Sequence, residues 1–164
     1  MSAIRGCRDD GGMNSPRLRL GRSSIVGQSY TLTMVCLHRR PWFADPHNAA
    51  IMMELFPQLD EQGLCCSQAW VVMPDHIHWL VELRAHTLAY IAQRLKSRSA
   101  LLLNRLHGRT GPMWQSGYHD HAVRSDESLH RHAVYILGNP VRAGLAEQIG
   151  QYPYAGCRWP ITDG

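Results

Sequence analysis

The segment spanning residues 71–83 constrains the fold more than any other part of the chain. It holds two apolar runs separated by Pro74-Asp75, and the second run carries His76 and His78. A proline followed by an aspartate favours a tight connection, so the two runs are predicted to form a β-hairpin. Residues two apart on a strand point to the same face, and both imidazoles would therefore project side by side from a rigid sheet.

The remaining hydrophobic patterns predict the element order β-α-β-β-α-β-α. Strands are expected at about 28–38, 65–73, 76–83 and 113–124, and helices at about 46–61, 87–107 and 127–138. This order contains the split β-α-β arrangement, so the sequence predicts an α+β fold with helices packed on a ferredoxin-like antiparallel sheet. The tail from residue 145 onward is predicted to cover the domain without regular structure.

The basic charge of the chain comes almost entirely from arginine. The formal net charge is +4, and Lys96 is the only lysine. Residues 1–20 are predicted to be a flexible basic arm, and residues 21–164 a single domain. Arginine forks suit phosphate binding, although a coding bias or a merely solvated helix face would also explain them. Candidate nucleic-acid contacts on the arm and on the second helix are Arg17, Arg19, Arg22, Arg94, Lys96, Arg98 and Arg105.

Cysteine usage and hydropathy bear on the compartment. The five cysteines form no C-x-x-C pair, which argues against a disulfide framework or a structural zinc site. No apolar run approaches transmembrane length, and Met1 is not followed by the hydrophobic stretch of a signal peptide. These features predict a cytoplasmic protein without a membrane partner.

His76 and His78 are candidate metal ligands, because two convergent neutral imidazoles provide half of a divalent metal site. Taken alone, an H-x-H pattern more often reflects ordinary surface or core histidines. A second such pattern, His119 and His121, lies on the predicted fourth strand and is an alternative metal site. We interpret this second pair as a support at the rim of the site or as a DNA contact.

Tyr135 and Asn139 lie four residues apart at the end of the last predicted helix, so their side chains would share a face. A phenol oxygen can act as a nucleophile, and an amide oxygen can complete a hard-metal site beside two imidazoles. The alternative is structural, with Tyr135 a packed aromatic residue and Asn139 a helix cap.

Taken together, these motifs resemble the REP-associated tyrosine transposases, which are relatives of the small single-tyrosine HUH transposases of insertion sequences. The matching stretches are MPDHIHWLVEL at 73–83, KSRSA at 96–100, WQSGYHDHAVR at 114–124 and YILGNPVRAGL at 135–145. The ordered set is far more specific than any single stretch, and the resemblance covers about residues 17–159.

The resemblance implies a ferredoxin-like core that acts on single-stranded DNA bearing short palindromic, REP-like hairpins, with Mg²⁺ or Mn²⁺ as cofactor. His76 and His78 match the metal ligands, and Tyr135 matches the nucleophile. Asn139 matches a third ligand that is commonly Gln in insertion-sequence members.

The implied reaction is single-strand cleavage and strand transfer through a 5′-phosphotyrosine intermediate, with His132 a candidate base. A host-adopted, non-catalytic hairpin-DNA-binding protein is the main alternative, and a hydrolase that uses water is another. The resemblance also allows a homodimer.

Overall fold

A computed structural model describes residues 24–161. Its strands are β1 (Ser29–Val35), β2 (Cys65–Met73), β3 (His76–Leu83), β4 (His119–Val123) and β5 (Ala155–Cys157). Its helices are α1 (Pro46–Glu61), α2 (Leu88–His107), α3 (Asp126–Leu137) and the short α4 (Asn139–Arg142), and two 3₁₀ turns, Leu37–Arg39 and Trp42–Ala44, follow β1. None of the helices in this part of the chain combines the length and the apolarity needed to cross a membrane.

Within residues 24–161 the strands form one antiparallel sheet in the order β4-β1-β3-β2-β5. The predicted α+β, ferredoxin-like architecture is confirmed, and the β2-β3 hairpin turns at Pro74-Asp75 as expected. The boundary predicted between the basic arm and the domain lies outside the described residues.

The fourth strand is shorter than predicted, since it begins at His119 and not near residue 113. Lys96 explains part of the difference, because its ammonium group donates to the carbonyl oxygens of Gln115 and Gly117. Those carbonyls are thereby drawn toward α2. Ahead of the strand, an isolated bridge pairs Trp114 with Cys36, the residue that follows β1.

The tail contains a strand where no regular structure was predicted. Strand β5 pairs with β2, with Gly156 opposite Trp70. A Cβ atom on Gly156 would lie 2.4 Å from the Trp70 ring, so glycine is what allows the two strands to approach. The pairing is extended by Val72, whose N–H donates to the Tyr154 carbonyl at 2.8 Å.

Alternation along β3 divides its side chains between the two faces of the sheet. One face packs under α1 and α2 in the larger core cluster and includes Ile77, Trp79, Val81 and Leu83. The other face includes Leu80, which belongs to a smaller cluster formed with α3. His76 and His78 have the parity of Leu80, so they point to the α3 side of the sheet.

Helix α3 covers the face of the sheet that carries the histidines. Ser125 caps its first turn, because its hydroxyl accepts a hydrogen bond from the Ser128 N–H at 3.2 Å. Ala133 and Ile136 are buried in the same cluster as Leu80. The tail packs against this cluster through Tyr152, Ala155, Cys157, Trp159 and Ile161.

Candidate functional site

His76 and His78 begin strand β3 with their rings side by side. The ring centroids lie 4.9 Å apart, and the ring planes are nearly perpendicular at 86°. Each Nδ1 has a polar partner, Asp75 Oδ1 at 2.6 Å from His76 and Thr33 Oγ1 at 2.9 Å from His78. Such partners orient an imidazole for metal binding through its other nitrogen. No side chain or backbone group in residues 24–161 forms a hydrogen bond with either Nε2, so both atoms are available as ligands.

Local electrostatics keep His78 neutral. Burial lowers the pKa of His78 to about 4, and the positive charges of His76 and Arg142 act in the same direction. Partial burial opposes ionisation of Asp75, but hydrogen bonds from His76 and Arg39 dominate and lower the pKa of its carboxyl. At neutral pH His78 is therefore in the form that binds metals, and the carboxylate that contacts His76 is ionised.

Tyr135 extends from α3 over the same face of the sheet. Its side chain is 63% exposed, so it is not a packed core aromatic. Together with His78 it lines an open groove of about 470 Å³, whose other lining residues are Thr31, Thr33, His121, Arg131, His132 and Ile136. The groove thus brings the predicted nucleophile and one predicted metal ligand of the same chain together.

Asn139 lies where α3 passes into α4. Gly138 keeps helical angles (φ −79°, ψ −10°) and its N–H donates to the Val134 carbonyl at 2.9 Å, so the helical path continues past Tyr135. The Asn139 Nδ2 donates to the Ile136 carbonyl at 3.0 Å, which leaves Oδ1 as the atom able to bind a metal. Asn139 lies one turn beyond Tyr135, but it does not line the groove.

Few protein atoms are available to bind the implied metal. Within the described range, no three His, Cys, Asp or Glu side chains are grouped so as to hold an ion. The available protein donors are two imidazole nitrogens and the Asn139 amide oxygen. Mg²⁺ takes few protein ligands and completes its shell with water and substrate phosphates. These three atoms could fill only part of the shell of such an ion, and water and substrate phosphates would have to complete it.

Of the second H-x-H pattern, His121 lines the groove. The ring of His121 stacks on that of His132, with centroids 5.5 Å apart and planes at 30°. Burial, with the charges of His121 and Arg131, lowers the pKa of His132. Strand β1 separates β4 from β3, and the register through Thr31 and Thr33 sets His121 diagonally across the sheet from His78.

The predicted basic face of α2 is not brought to the groove. Helix α2 packs on the opposite side of the sheet, where Arg94 and Arg98 line a surface cavity between α1 and α2. Arg105 is exposed in the last turn of the same helix. Lys96 is buried and engaged by backbone carbonyls, so it does not share the exposed face predicted for it. Arg17, Arg19 and Arg22, the candidates on the arm, lie outside the described residues.

Other arginines, which the motif analysis did not single out, lie near the groove. Arg142 places its guanidinium carbon 4.1 Å from the centroid of the Tyr135 ring. Arg131 lines the groove, and Arg39 forms a 3.2 Å ion pair with Asp75. A signal for Arg142 was present in the sequence, because it follows Tyr135 by seven residues, which is two helical turns.

Comparison with known proteins identifies sequence relatives. The family described as "Transposase IS200 like" matches residues 24–139. A putative REP-associated tyrosine transposase of Haemophilus influenzae is 32% identical over 95 residues, which cover 51% of this chain and 54% of the relative. The REP-associated tyrosine transposase of Escherichia coli is 29% identical over 89 residues, covering 53% and 51%. The chain thus spans about half the length of the curated relatives it matches.

Solved structures share the fold. A REP-associated tyrosine transposase bound to a REP hairpin aligns with a TM-score of 0.65 at 23% identity, covering 82% of this chain and 79% of that one. A putative transposase from Deinococcus radiodurans aligns with a TM-score of 0.51 at 22% identity, covering 71% and 93%. With a family match that extends over most of its length, and with REP-associated tyrosine transposases among its relatives, this chain belongs to the IS200-like transposase family.

Proposed function

We propose that this protein cleaves single-stranded DNA beside hairpins and transfers the cut end to another strand. Tyr135 acts as the nucleophile, and His76, His78 and Asn139 hold the metal. The observation that carries this proposal is the groove in which Tyr135 and His78 of one chain meet. Hairpin DNA is favoured as the substrate because a solved structural neighbour is bound to a REP hairpin. Such an enzyme would act on DNA in the cytoplasm.

Neighbouring residues orient the two histidines proposed as metal ligands and keep His78 neutral. Asp75 and Thr33 orient the two imidazoles through Nδ1, and burial keeps His78 unprotonated. When bound, Mg²⁺ or Mn²⁺ supplies positive charge that polarises and orients the scissile phosphate. Asn139 contributes its amide oxygen from the helix that carries the nucleophile.

The chemical step follows from the exposed phenol. The Tyr135 oxygen attacks the scissile phosphorus in line, a new P–O bond forms, and the bond from phosphorus to the 3′-oxygen breaks. The departing oxygen takes a proton from water and becomes a free 3′-OH. His132 lies one turn earlier in the same groove and is unprotonated at neutral pH, so it is placed to accept the phenol proton. Because the phosphotyrosine retains the ester, the 3′-OH of another strand can attack it and complete transfer.

The DNA path runs on the α3 side of the sheet. Arg131 and Arg39 lie at the groove and beside Asp75, where phosphates of a strand entering the site would pass. The arginines of α2 face away from this path. A homodimer is not required to assemble the site, because Tyr135 and His78 of one chain line the same groove.

A labelled single strand with a hairpin, incubated with Mn²⁺, tests the proposal. We expect a protein–DNA adduct that survives a denaturing gel, requires the metal and maps to Tyr135 by mass spectrometry. Hairpin binding without cleavage at any metal concentration would favour a non-catalytic binding protein. Cleavage without an adduct would instead assign the attack to water.

A further inference from the structure

We infer that Arg142 is a positioning residue, which holds the Tyr135 ring in its attacking orientation, and that Gly138 leaves the space this contact needs. The inference rests on the proposed role of Tyr135 as the nucleophile. It gives the residues from Tyr135 to the end of α4 a second role, besides the proposed binding of metal by Asn139.

Two contacts join Arg142 to the nucleophile. The guanidinium carbon lies 4.1 Å from the ring centroid, and the Arg142 Nη2 donates to the Tyr135 carbonyl oxygen at 2.5 Å. A cation over an aromatic face is attracted by the ring electrons. Because the Tyr135 side chain is 63% exposed, core packing restrains its ring little. The guanidinium therefore supplies a restraint that the core does not.

Gly138 has no backbone reason to be glycine. Its angles (φ −79°, ψ −10°) are ones that any residue adopts, and glycine in a helical segment costs about 1 kcal/mol relative to alanine. A Cβ atom at this position would lie 2.7 Å from the Arg142 Nη1 and 3.3 Å from the Val134 carbonyl oxygen. Glycine here thus leaves open the space in which the guanidinium now lies against the Tyr135 ring.

The geometry predicts what a methyl group at position 138 would do. The Arg142 Nη1 is the far end of a flexible side chain, so it would move aside while the helix stays folded. Moving the guanidinium away from the ring removes the restraint that Arg142 places on Tyr135.

Three variants, Gly138→Ala, Arg142→Gln and Arg142→Lys, test this inference. We expect Gly138→Ala and Arg142→Gln to slow adduct formation by about tenfold or more under single-turnover conditions, because small misplacements of a nucleophile are costly. Affinity for the hairpin should stay within about threefold, since most phosphate contacts survive. Arg142→Lys should recover part of the rate. Arg84→Gln, which removes an arginine paired with Glu82, is the charge-matched control and should react like the wild type.

Gly138→Ala separates positioning from a structural role. Alanine should raise or preserve the melting temperature while the reaction slows, whereas a helix-stability role predicts a higher melting temperature with an unchanged or faster reaction. A second readout is the ¹⁹F NMR signal of 3-fluorotyrosine at position 135. We expect Gly138→Ala and Arg142→Gln to move this signal toward that of a freely rotating ring.

The outcomes are decisive even if the protein does not cleave DNA. A wild-type protein without adduct formation would overturn the proposed function, while the NMR signal still tests the contact between Arg142 and Tyr135. Wild-type rates and unchanged ¹⁹F signals in both variants would overturn the inference alone. A slower reaction with an unchanged signal would also overturn it, because the loss would then not come from ring position.

Discussion

Thr33 and His78 lie directly opposite each other on neighbouring strands, and the Thr33 hydroxyl is 2.9 Å from Nδ1 of the imidazole. A side chain on one rigid strand thereby orients a ring on the next. Combined with burial, this contact makes His78 a neutral imidazole whose Nε2 is available on the groove side. The behaviour of His78 in acid follows from this setting.

Stability should fall as the pH drops from about 6.5 to about 4. Burial lowers the pKa of folded His78 to about 4, so over this range the unfolded chain binds a proton that the folded chain does not. The loss attributable to His78 is on the order of 3 kcal/mol at the acid end. Urea unfolding at pH 7 and pH 4.5, with chelator present, measures it. His78→Gln should lose less stability than the wild type, and equal losses would contradict the prediction.

Tyr135→Phe should abolish adduct formation and leave hairpin affinity within about threefold, because only the attacking oxygen is removed. The ring remains for Arg142 to contact. Gel-shift and denaturing-gel assays on one labelled hairpin measure both properties. Tyr90→Phe is a matched control, since Tyr90 is also exposed but lies on α2, across the sheet. An adduct formed by the Tyr135 variant would assign the attack to another residue.

His76→Ala or His78→Ala should remove metal-dependent cleavage with only a modest loss of DNA binding, because each supplies one of two adjacent imidazoles. Replacing both His119 and His121 should leave Mn²⁺ affinity unchanged, since neither is a proposed ligand and the His121 ring stacks on that of His132. Titration of Mn²⁺ by electron paramagnetic resonance distinguishes the pairs. Loss of Mn²⁺ binding in the double variant, with His78→Ala unaffected, would transfer the metal site to β4.

Asn139→Ala should raise the Mn²⁺ concentration needed for cleavage, because the third protein donor is lost. Asn139→Gln and Asn139→Asp should retain activity, since each keeps an oxygen donor. A purely structural role, through the 3.0 Å bond to the Ile136 carbonyl, predicts a lower melting temperature with the same metal requirement. Cleavage measured against Mn²⁺ concentration for the three variants decides between these roles.

Arg39→Gln and Arg131→Gln should weaken hairpin binding more than Arg94→Gln and Arg98→Gln. The first two arginines lie on the groove side, whereas the other two line a cavity under the opposite helices. Each lost phosphate contact should lower the slope of log affinity against log salt by about 1. Equal effects from both sets would indicate that DNA wraps around both sides of the sheet.

The alternation of side chains along a strand correctly predicted that the two histidines of β3 lie on one face of the sheet. Two histidines at spacing two, next to a Pro-Asp turn, had to share a face of β3, and the structure agrees. The same logic could not place Arg94 and Arg98. Helical periodicity shows which residues share a face of α2, but the side of the sheet that a helix covers is set by chain connections.

The surroundings of Lys96 and the role of Arg142 were not predicted from the sequence, for two different physical reasons. A lysine on a basic helix is expected in solvent, yet Lys96 is buried because nearby carbonyls bind its ammonium group. Arg142 reaches Tyr135 only because the helical path continues through Gly138, at a point where glycine and proline predict a stop. Burial of Lys96 depends on carbonyls from another part of the chain, whereas the Arg142 contact depends on a helical path that local preference does not predict.

Strand β5 has a consequence for how copies of this chain can associate. It comes after α3 and α4 in the chain and pairs with the edge of β2 that would otherwise be open. Tyr152 holds the tail in place, because its hydroxyl donates to the Val72 carbonyl at 2.7 Å. Exchange of α3 between two subunits would first require β5 to separate from β2. Edge-to-edge joining of two sheets is likewise blocked at β2 and left to β4 and to the three-residue β5. The tail therefore favours a nucleophile that serves its own histidines.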